Sequence, residues 1–193
     1  MIHSKNNAQD RPRPTLTWKR QRLLAGIREM HRQYQVGGDT QRLFAGLLDI
    51  ALEITGSPYG TAGAVVDNSE GNLHFKPFAA RFAKGASPKK CDALLKQVIT
   101  SGRACIVDGP ASGTRRAAAV RAFPDNFLGL PIYSGTSLVG AVGVATNPDG
   151  YDEHLSAFLE PLLCSFGTLV QSQRSEQRRN DMAGLRKFFT SRA

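Results

Sequence analysis

The three cysteines and four histidines are the side chains that most readily do chemistry, and their spacing argues against a catalytic centre. Cys91, Cys105 and Cys164 form neither a CxxC pair nor an even set for disulfides, which favours reduced thiols. Cys91 follows two lysines near a predicted helix start, a setting that lowers the pKa of a thiol. No spacing typical of a zinc site, a serine nucleophile or a phosphate-binding loop occurs. The sequence therefore predicts no enzyme and no metal site, and it identifies no cofactor.

A second group of side chains could bind a small molecule rather than transform one. Residues 108–125 are polar and rich in Gly, Pro and Ser, and a segment of this kind beside a rigid sheet often carries a binding site. Its guanidinium groups could hold an anion, and aromatic residues outside it could form apolar walls. The predicted ligand-binding residues are Asp108, Arg115 and Arg116 in this segment, with Phe75, Phe78, Phe127 and Tyr133 as the walls.

The elements that must position these residues can be read from apolar periodicity. Residues 126–133 and 137–146 are apolar runs joined by Ser-Gly-Thr, which predicts a β-hairpin. Because these runs are apolar at nearly every position, we expect both of their faces to be covered. Further strands are predicted at 61–67, at 72–82 (with Pro77 at a bulge or an edge) and at 104–107, the last of them short and buried. Amphipathic helices are predicted at 15–36, 40–55, 88–101 and from 152 onward, with Pro161 either kinking the last helix or lying near its start.

Three stretches resemble a known family. FLGLPIYSGTSLVGAVGVATNPDGYDEHLSAFLEPLL, LLDIALEITGSPYG and LLKQVITSGRACIVDGP are similar to segments of GAF domains of the bacterial signalling type, as found attached to histidine kinases and diguanylate cyclases. The resemblance implies an α+β fold: an antiparallel sheet with helices packed on one face, a loop-lined pocket on the other, and long N- and C-terminal helices. Asn147 precedes Pro148 where cyclic-nucleotide-binding members have Asn-Lys, and no cysteine precedes a histidine as in bilin-binding members. Neither ligand is therefore implied.

The two ends of the chain, residues 1–42 and 171–193, are more basic than its middle, and we call them the basic arms. Residues 1–42 carry a net charge of +6, residues 43–170 of −1 and residues 171–193 of +4. We divide the chain into a disordered lead (1–14), an N-terminal amphipathic helix (15–38), the GAF domain (39–171) and a C-terminal helical tail (172–193). With no apolar run long enough to cross a membrane and no signal peptide, we expect a cytoplasmic protein.

The function that follows is that of a non-catalytic sensory module in signal transduction, for example in a two-component system. We expect it to bind an unidentified small molecule and to signal through its terminal helices, as a homodimer, to an output domain or a partner protein. Two alternatives stay open. The basic arms could bind nucleic acid or an acidic partner. The cysteines could support the free methionine sulfoxide reduction known in one branch of the family, although this chain lacks that branch's cysteine arrangement.

Overall fold

The computed structural model describes residues 14–37, 39–67, 72–82, 89–107 and 126–190. Within these residues the elements follow the predicted order, with boundaries that differ from the predicted ones by one or two residues. They are α1 (Leu16–Gln35), α2 (Thr40–Thr55), β1 (Tyr59–Asp67), β2 (Leu73–Arg81), α3 (Lys89–Ser101), β3 (Cys105–Val107), β4 (Phe127–Ser134), β5 (Ser137–Ala145) and α4 (Glu153–Thr190).

The strands form one antiparallel sheet in the order β2-β1-β5-β4-β3. The predicted hairpin is β4–β5, and β5 is the central strand, paired with β1 on one side and β4 on the other. The expected α+β fold is thus confirmed. β3, predicted to be a buried strand, lies instead at the sheet edge, where its residues are only partly covered.

Pro77 lies where the ladder between β1 and β2 breaks its register. Ala62 pairs with Ala79 but Gly63 pairs with Pro77, so Phe78 is the extra residue of a bulge. A proline has no N–H to donate and is tolerated at such a site on an edge strand. A Cβ on Gly63 would lie 2.2 Å from the Lys76 carbonyl oxygen, so this bulge requires glycine.

Helices cover both faces of the sheet. α1, α2 and α4 share one face and enclose the larger core, in which the Phe44 ring stacks on Phe78 (centroids 5.3 Å apart) and meets Phe166 edge-on (4.9 Å). Such aromatic pairs add to the free energy of burial. α3 packs on the opposite face, where the family resemblance implied a loop-lined pocket. The sheet is therefore the middle layer of three.

Local signals in the sequence fix the helix ends. Asp39 accepts a hydrogen bond from the Arg42 amide and Asp152 accepts one from Leu155, each at 2.7 Å, so each carboxylate satisfies a free N–H of the first turn. Gly56 ends α2 with a φ of 70°. Pro161 lies in the interior of α4, which continues through it as one helix to Thr190.

Candidate functional site

α3 packs on the sheet through an apolar cluster of side chains, which we call the α3 compartment. Its α3 wall is formed by four side chains at helical spacing, and the opposite wall by β1, β4 and β5. All are 5% exposed or less, so the walls offer dispersion contacts and no charge. The buried residues are Cys91, Leu95, Val98 and Ile99 on α3 and Val65, Phe127, Ala141 and Ala145 on the strands.

Phe127 fills the centre of the α3 compartment. Its ring lies on a floor made by Gly129 and Gly143, which pair across β4 and β5. A Cβ on either glycine would come within 2.7 Å of the ring, so two adjacent glycines are what allow an aromatic ring to lie flat against the sheet. A planar group of similar size could occupy the same floor only if the Phe127 side chain moved.

Three of the predicted wall residues lie on the face of the sheet that α3 covers, and the fourth lies on the other face. Phe75 packs against the α3 compartment. Tyr133 alternates with Ile132 along β4 and reaches the end of α3, where its hydroxyl donates a 2.8 Å hydrogen bond to the Gly102 carbonyl. Phe78 lies on the opposite face, stacked on Phe44. Asp108, Arg115 and Arg116 lie outside the described residues, so their part in the site stays a prediction.

An asparagine pair fixes the backbone from which Phe127 extends. The Asn126 side chain donates to the Asn147 carbonyl at 2.7 Å and accepts from the Asn147 amide at 2.8 Å. Asn147 also donates to Gly150 and accepts from Asp149, closing the turn before α4. The Asn-Pro-Asp-Gly sequence carried the signal for this turn, but the pairing with Asn126 depends on the strand register. These hydrogen bonds join the start of β4 to the loop that leads into α4.

The cysteines do not form the reactive thiol that the flanking lysines suggested for Cys91. Burial raises the pKa of Cys91 to about 11, with the Asp92 carboxylate adding to the effect, because both disfavour a thiolate. Burial also raises the pKa of Cys105, whereas Cys164 is exposed on α4. The prediction of a lowered pKa for Cys91 is wrong, since packing of α3 on the sheet removes the thiol from water.

The middle of α4 carries two features that sequence reasoning missed. Gly167 lies so close to β4 that an added Cβ would be 2.0 Å from the Tyr133 carbonyl oxygen. Arg174, seven residues later on the same side of the helix, donates to the Val65 and Val139 carbonyls at 3.1 and 3.0 Å. The signal was available, because Arg174 continues the apolar stripe of Leu163 and Val170 and therefore had to face the sheet.

A polar groove lies beside the same part of α4. Its volume is about 420 Å³, and it is lined by Tyr34, Ser134, Thr168, Ser172, Glu176 and Arg179, among others. The Tyr34 hydroxyl donates to the Glu176 carboxylate at 2.7 Å, and this hydrogen bond together with burial raises the pKa of Tyr34.

Among the described residues no group of three His, Cys, Asp or Glu side chains could hold a metal ion. No described helix is long and apolar enough to cross a membrane.

Comparison with known proteins agrees with the fold. The sequence profile of the GAF domain matches residues 38–170, so the chain belongs to the GAF domain family. The GAF fold is known from regulatory domains that bind small molecules. No curated protein matches the sequence.

Solved structures share this fold at low sequence identity. The GAF domain of an Acinetobacter phosphoenolpyruvate-protein phosphotransferase has a TM-score of 0.56 and 14% identity, covering 81% of this chain and 97% of that one. Free methionine-R-sulfoxide reductase from Neisseria meningitidis has a TM-score of 0.58 and 15% identity, covering 83% and 92%. GAF3 from Slr1393 of Synechocystis sp. PCC6803 has a TM-score of 0.51 and 16% identity, covering 72% and 98%. At these identities the likeness shows the fold alone.

Proposed function

We propose that this GAF domain is a non-catalytic sensory module that binds a small molecule in the α3 compartment and transmits its occupancy through α1 and α4. The observation that carries the proposal is the continuity of α4. Its first half packs on the sheet up to Val170, and the same helix runs on to Thr190 with residues 175–183 exposed. A displacement at the sheet would therefore reach the exposed half through a single rigid element.

The chemistry of the α3 compartment limits the class of ligand. Its buried walls are apolar, so an uncharged, planar or aromatic group suits the position over Gly129 and Gly143. A polar or anionic end of the ligand would be left to Arg115, Arg116 and Asp108, which remain predicted ligand-binding residues. The ligand would stack against the Phe127 ring once that side chain has moved from the glycine floor.

A second copy of the chain is the partner that we propose for the outer face of α1 and α4. His31 hydrogen-bonds Ser165 at 2.9 Å and Tyr34 reaches Glu176, so α1 and α4 run in the same direction. On their outer face Leu24 is 54% exposed and small exposed residues follow one another along α4, namely Ala157, Pro161, Cys164 and Thr168.

The charges of this face support an arrangement in which α1 meets α4 of a parallel second copy. Because Ser165 contacts His31, the residues five positions earlier in the two parallel helices, Glu160 on α4 and Gly26 on α1, lie at the same level. Glu160 is therefore level with the segment of α1 between Arg20 and Arg28, and all three side chains are exposed. In a parallel dimer each acid would lie opposite these bases of the other copy, which favours this register.

Cross-linking through the native Cys164 tests the dimer. A short bismaleimide should give a covalent dimer of the full chain, and Cys164→Ser should abolish it. Arg28→Glu should weaken dimerisation in sedimentation experiments, and adding Glu160→Arg should restore it. A chain that sediments as a monomer at high concentration would refute the dimer while leaving ligand binding open.

Native mass spectrometry of the protein purified from its source organism tests the ligand. We expect a bound small molecule whose occupancy falls in Phe127→Leu and stays unchanged in the matched variant Phe78→Leu, because Phe78 lies on the opposite face. Equal loss in both variants would contradict the α3 compartment as the site.

The two alternative functions differ in the support that remains. Arg174 is engaged by two carbonyls, but Arg178 and Arg179 are exposed and could bind nucleic acid. A steep loss of DNA binding between low and moderate salt, abolished by Arg178→Gln with Arg179→Gln, would support that function.

A sulfoxide reductase needs an accessible thiolate, and the buried Cys91 does not provide one. We expect no reduction of free methionine sulfoxide, and Cys91→Ser and Cys105→Ser are the variants to compare.

A further inference from the structure

The ladder between β1 and β5 stops before either strand ends. Its pairs run from Tyr59 opposite Ala145 to Ala64 opposite Gly140. The next pair in this register would be Val65 opposite Val139, and both residues lie inside their strands. On its other side β5 changes register with β4 at the same place, pairing Gly140 with Ile132 and then Leu138 with Tyr133. Val139 is therefore paired with neither β1 nor β4. We call the unpaired stretch between Val65 and Val139 the seam, and across it the carbonyls of these two residues have no partner on the facing strand.

Arg174 supplies the missing hydrogen bonds. Its Nη2 donates to both carbonyls, at 3.1 Å to Val65 and 3.0 Å to Val139. The guanidinium is half-buried, and none of the ion pairs found in the described part of the chain includes it. Burial lowers its pKa, and the neighbouring Arg178 acts in the same direction, but a guanidinium stays charged in proteins. A desolvated charge held by neutral carbonyls is favourable only while those hydrogen bonds last.

The same seam borders the α3 compartment. The Val65 side chain is 3% exposed and belongs to the cluster that contains Phe127 and Leu95, whereas its carbonyl is held by α4 from the other side of the sheet. One residue therefore contacts the proposed ligand compartment with its side chain and the output helix with its backbone.

We propose that Arg174 is a latch that couples the position of α4 to the separation of β1 and β5. The inference rests on the proposed function only in taking α4 as the output helix. While the latch is closed, the strands stay apart at Val65 and Val139 and α4 stays against the sheet. If α4 moves by more than the range of a hydrogen bond, both carbonyls lose their donor, so positions in between are disfavoured and the helix has two preferred states.

Hydrogen exchange of the full chain without ligand tests the latch. Arg174→Met keeps the length of the aliphatic stem and removes the donors, while Arg178→Met removes a neighbouring exposed arginine of the same helix as a control. We expect amide exchange in residues 171–176 and 137–140 to rise about tenfold or more in Arg174→Met, consistent with the loss of charged hydrogen bonds. Arg178→Met should leave both segments unchanged. Equal exchange in the two variants would overturn the proposal.

A double-mutant cycle separates coupling from a general loss of stability. Val65→Ala perturbs the α3 compartment from the β1 side and should raise exchange in residues 171–176 when Arg174 is present. In the Arg174→Met background the same substitution should add nothing further in that segment, although exchange in α3 still rises. If Val65→Ala has the same effect on α4 in both backgrounds, the latch is refuted. Because no ligand is used, the result stands apart from whether a ligand is ever found.

Discussion

Gly167→Ala should destabilise the protein although alanine favours helices. The substitution gains about 1 kcal/mol in helix propensity. The new Cβ would lie 2.0 Å from the Tyr133 carbonyl oxygen, so α4 must move away by about 1 Å or more to reach van der Waals contact. Relieving such an overlap costs about 1–3 kcal/mol, and loss of an Arg174 hydrogen bond adds about 1.5–3 kcal/mol. The net expectation is a loss of about 1.5–5 kcal/mol.

Thermal and urea denaturation measure this change, and Gly46→Ala is the matched control. Gly46 is also a helical glycine, but a Cβ there would meet only the end of the Gln33 side chain, at 3.2 Å, which can give way. We expect Gly167→Ala to lower Tm by roughly 3–20 °C, at about 2–4 °C per kcal/mol for a chain of this size, and Gly46→Ala to leave Tm unchanged or raise it slightly. A Gly167→Ala protein as stable as Gly46→Ala would refute the close packing of α4 on β4.

Further predictions concern the thiols and the buried hydroxyls. At pH 8 iodoacetamide should modify Cys164 before Cys91, which should react only on unfolding, as followed by mass spectrometry. Because the pKa of Cys91 rises from 9.0 in the unfolded chain to about 11 in the folded one, its contribution is complete below pH 9. Up to about 2 kcal/mol of stability should be lost as pH rises from 9 to 11, and Cys91→Ala should remove this part of the pH dependence. Tyr151→Phe should cost about 1 kcal/mol in urea denaturation, because it removes the 2.6 Å hydrogen bond to the buried Ser57 hydroxyl. Tyr34→Phe, which loses a hydrogen bond to Glu176 at the surface, should cost clearly less than Tyr151→Phe; equal losses would contradict this ranking.

The fold was largely predictable because local signals and apolar patterns agree along the chain. The β4–β5 hairpin, the Asp39 and Asp152 caps and the glycine stop at Gly56 all follow from residue types within a few positions. Pro77 correctly indicated an edge or a bulge. The α1 stripe was less informative, because Leu23 and Met30 are buried whereas Leu24, one position along, points to the surface.

The features that sequence reasoning missed depend on contacts between distant elements. Cys91 looked reactive from its lysine neighbours, but its pKa is set by the sheet that α3 covers. The role of Arg174 depends on where the β1–β5 register stops, which no local pattern fixes. Such outcomes follow from packing and register.

Hydrogen exchange with and without a size-filtered metabolite extract of the source organism tests the central claim most directly, since it reports on the α3 compartment and on α4 together. We predict slower exchange in α3 (Lys89–Ser101) and, in the same samples, a changed rate in residues 171–190 of α4, with the change in α4 lost in Arg174→Met. Protection of α3 with no change in α4 would contradict signalling through this helix. An extract-dependent change in α4 without protection of α3 would place the ligand elsewhere.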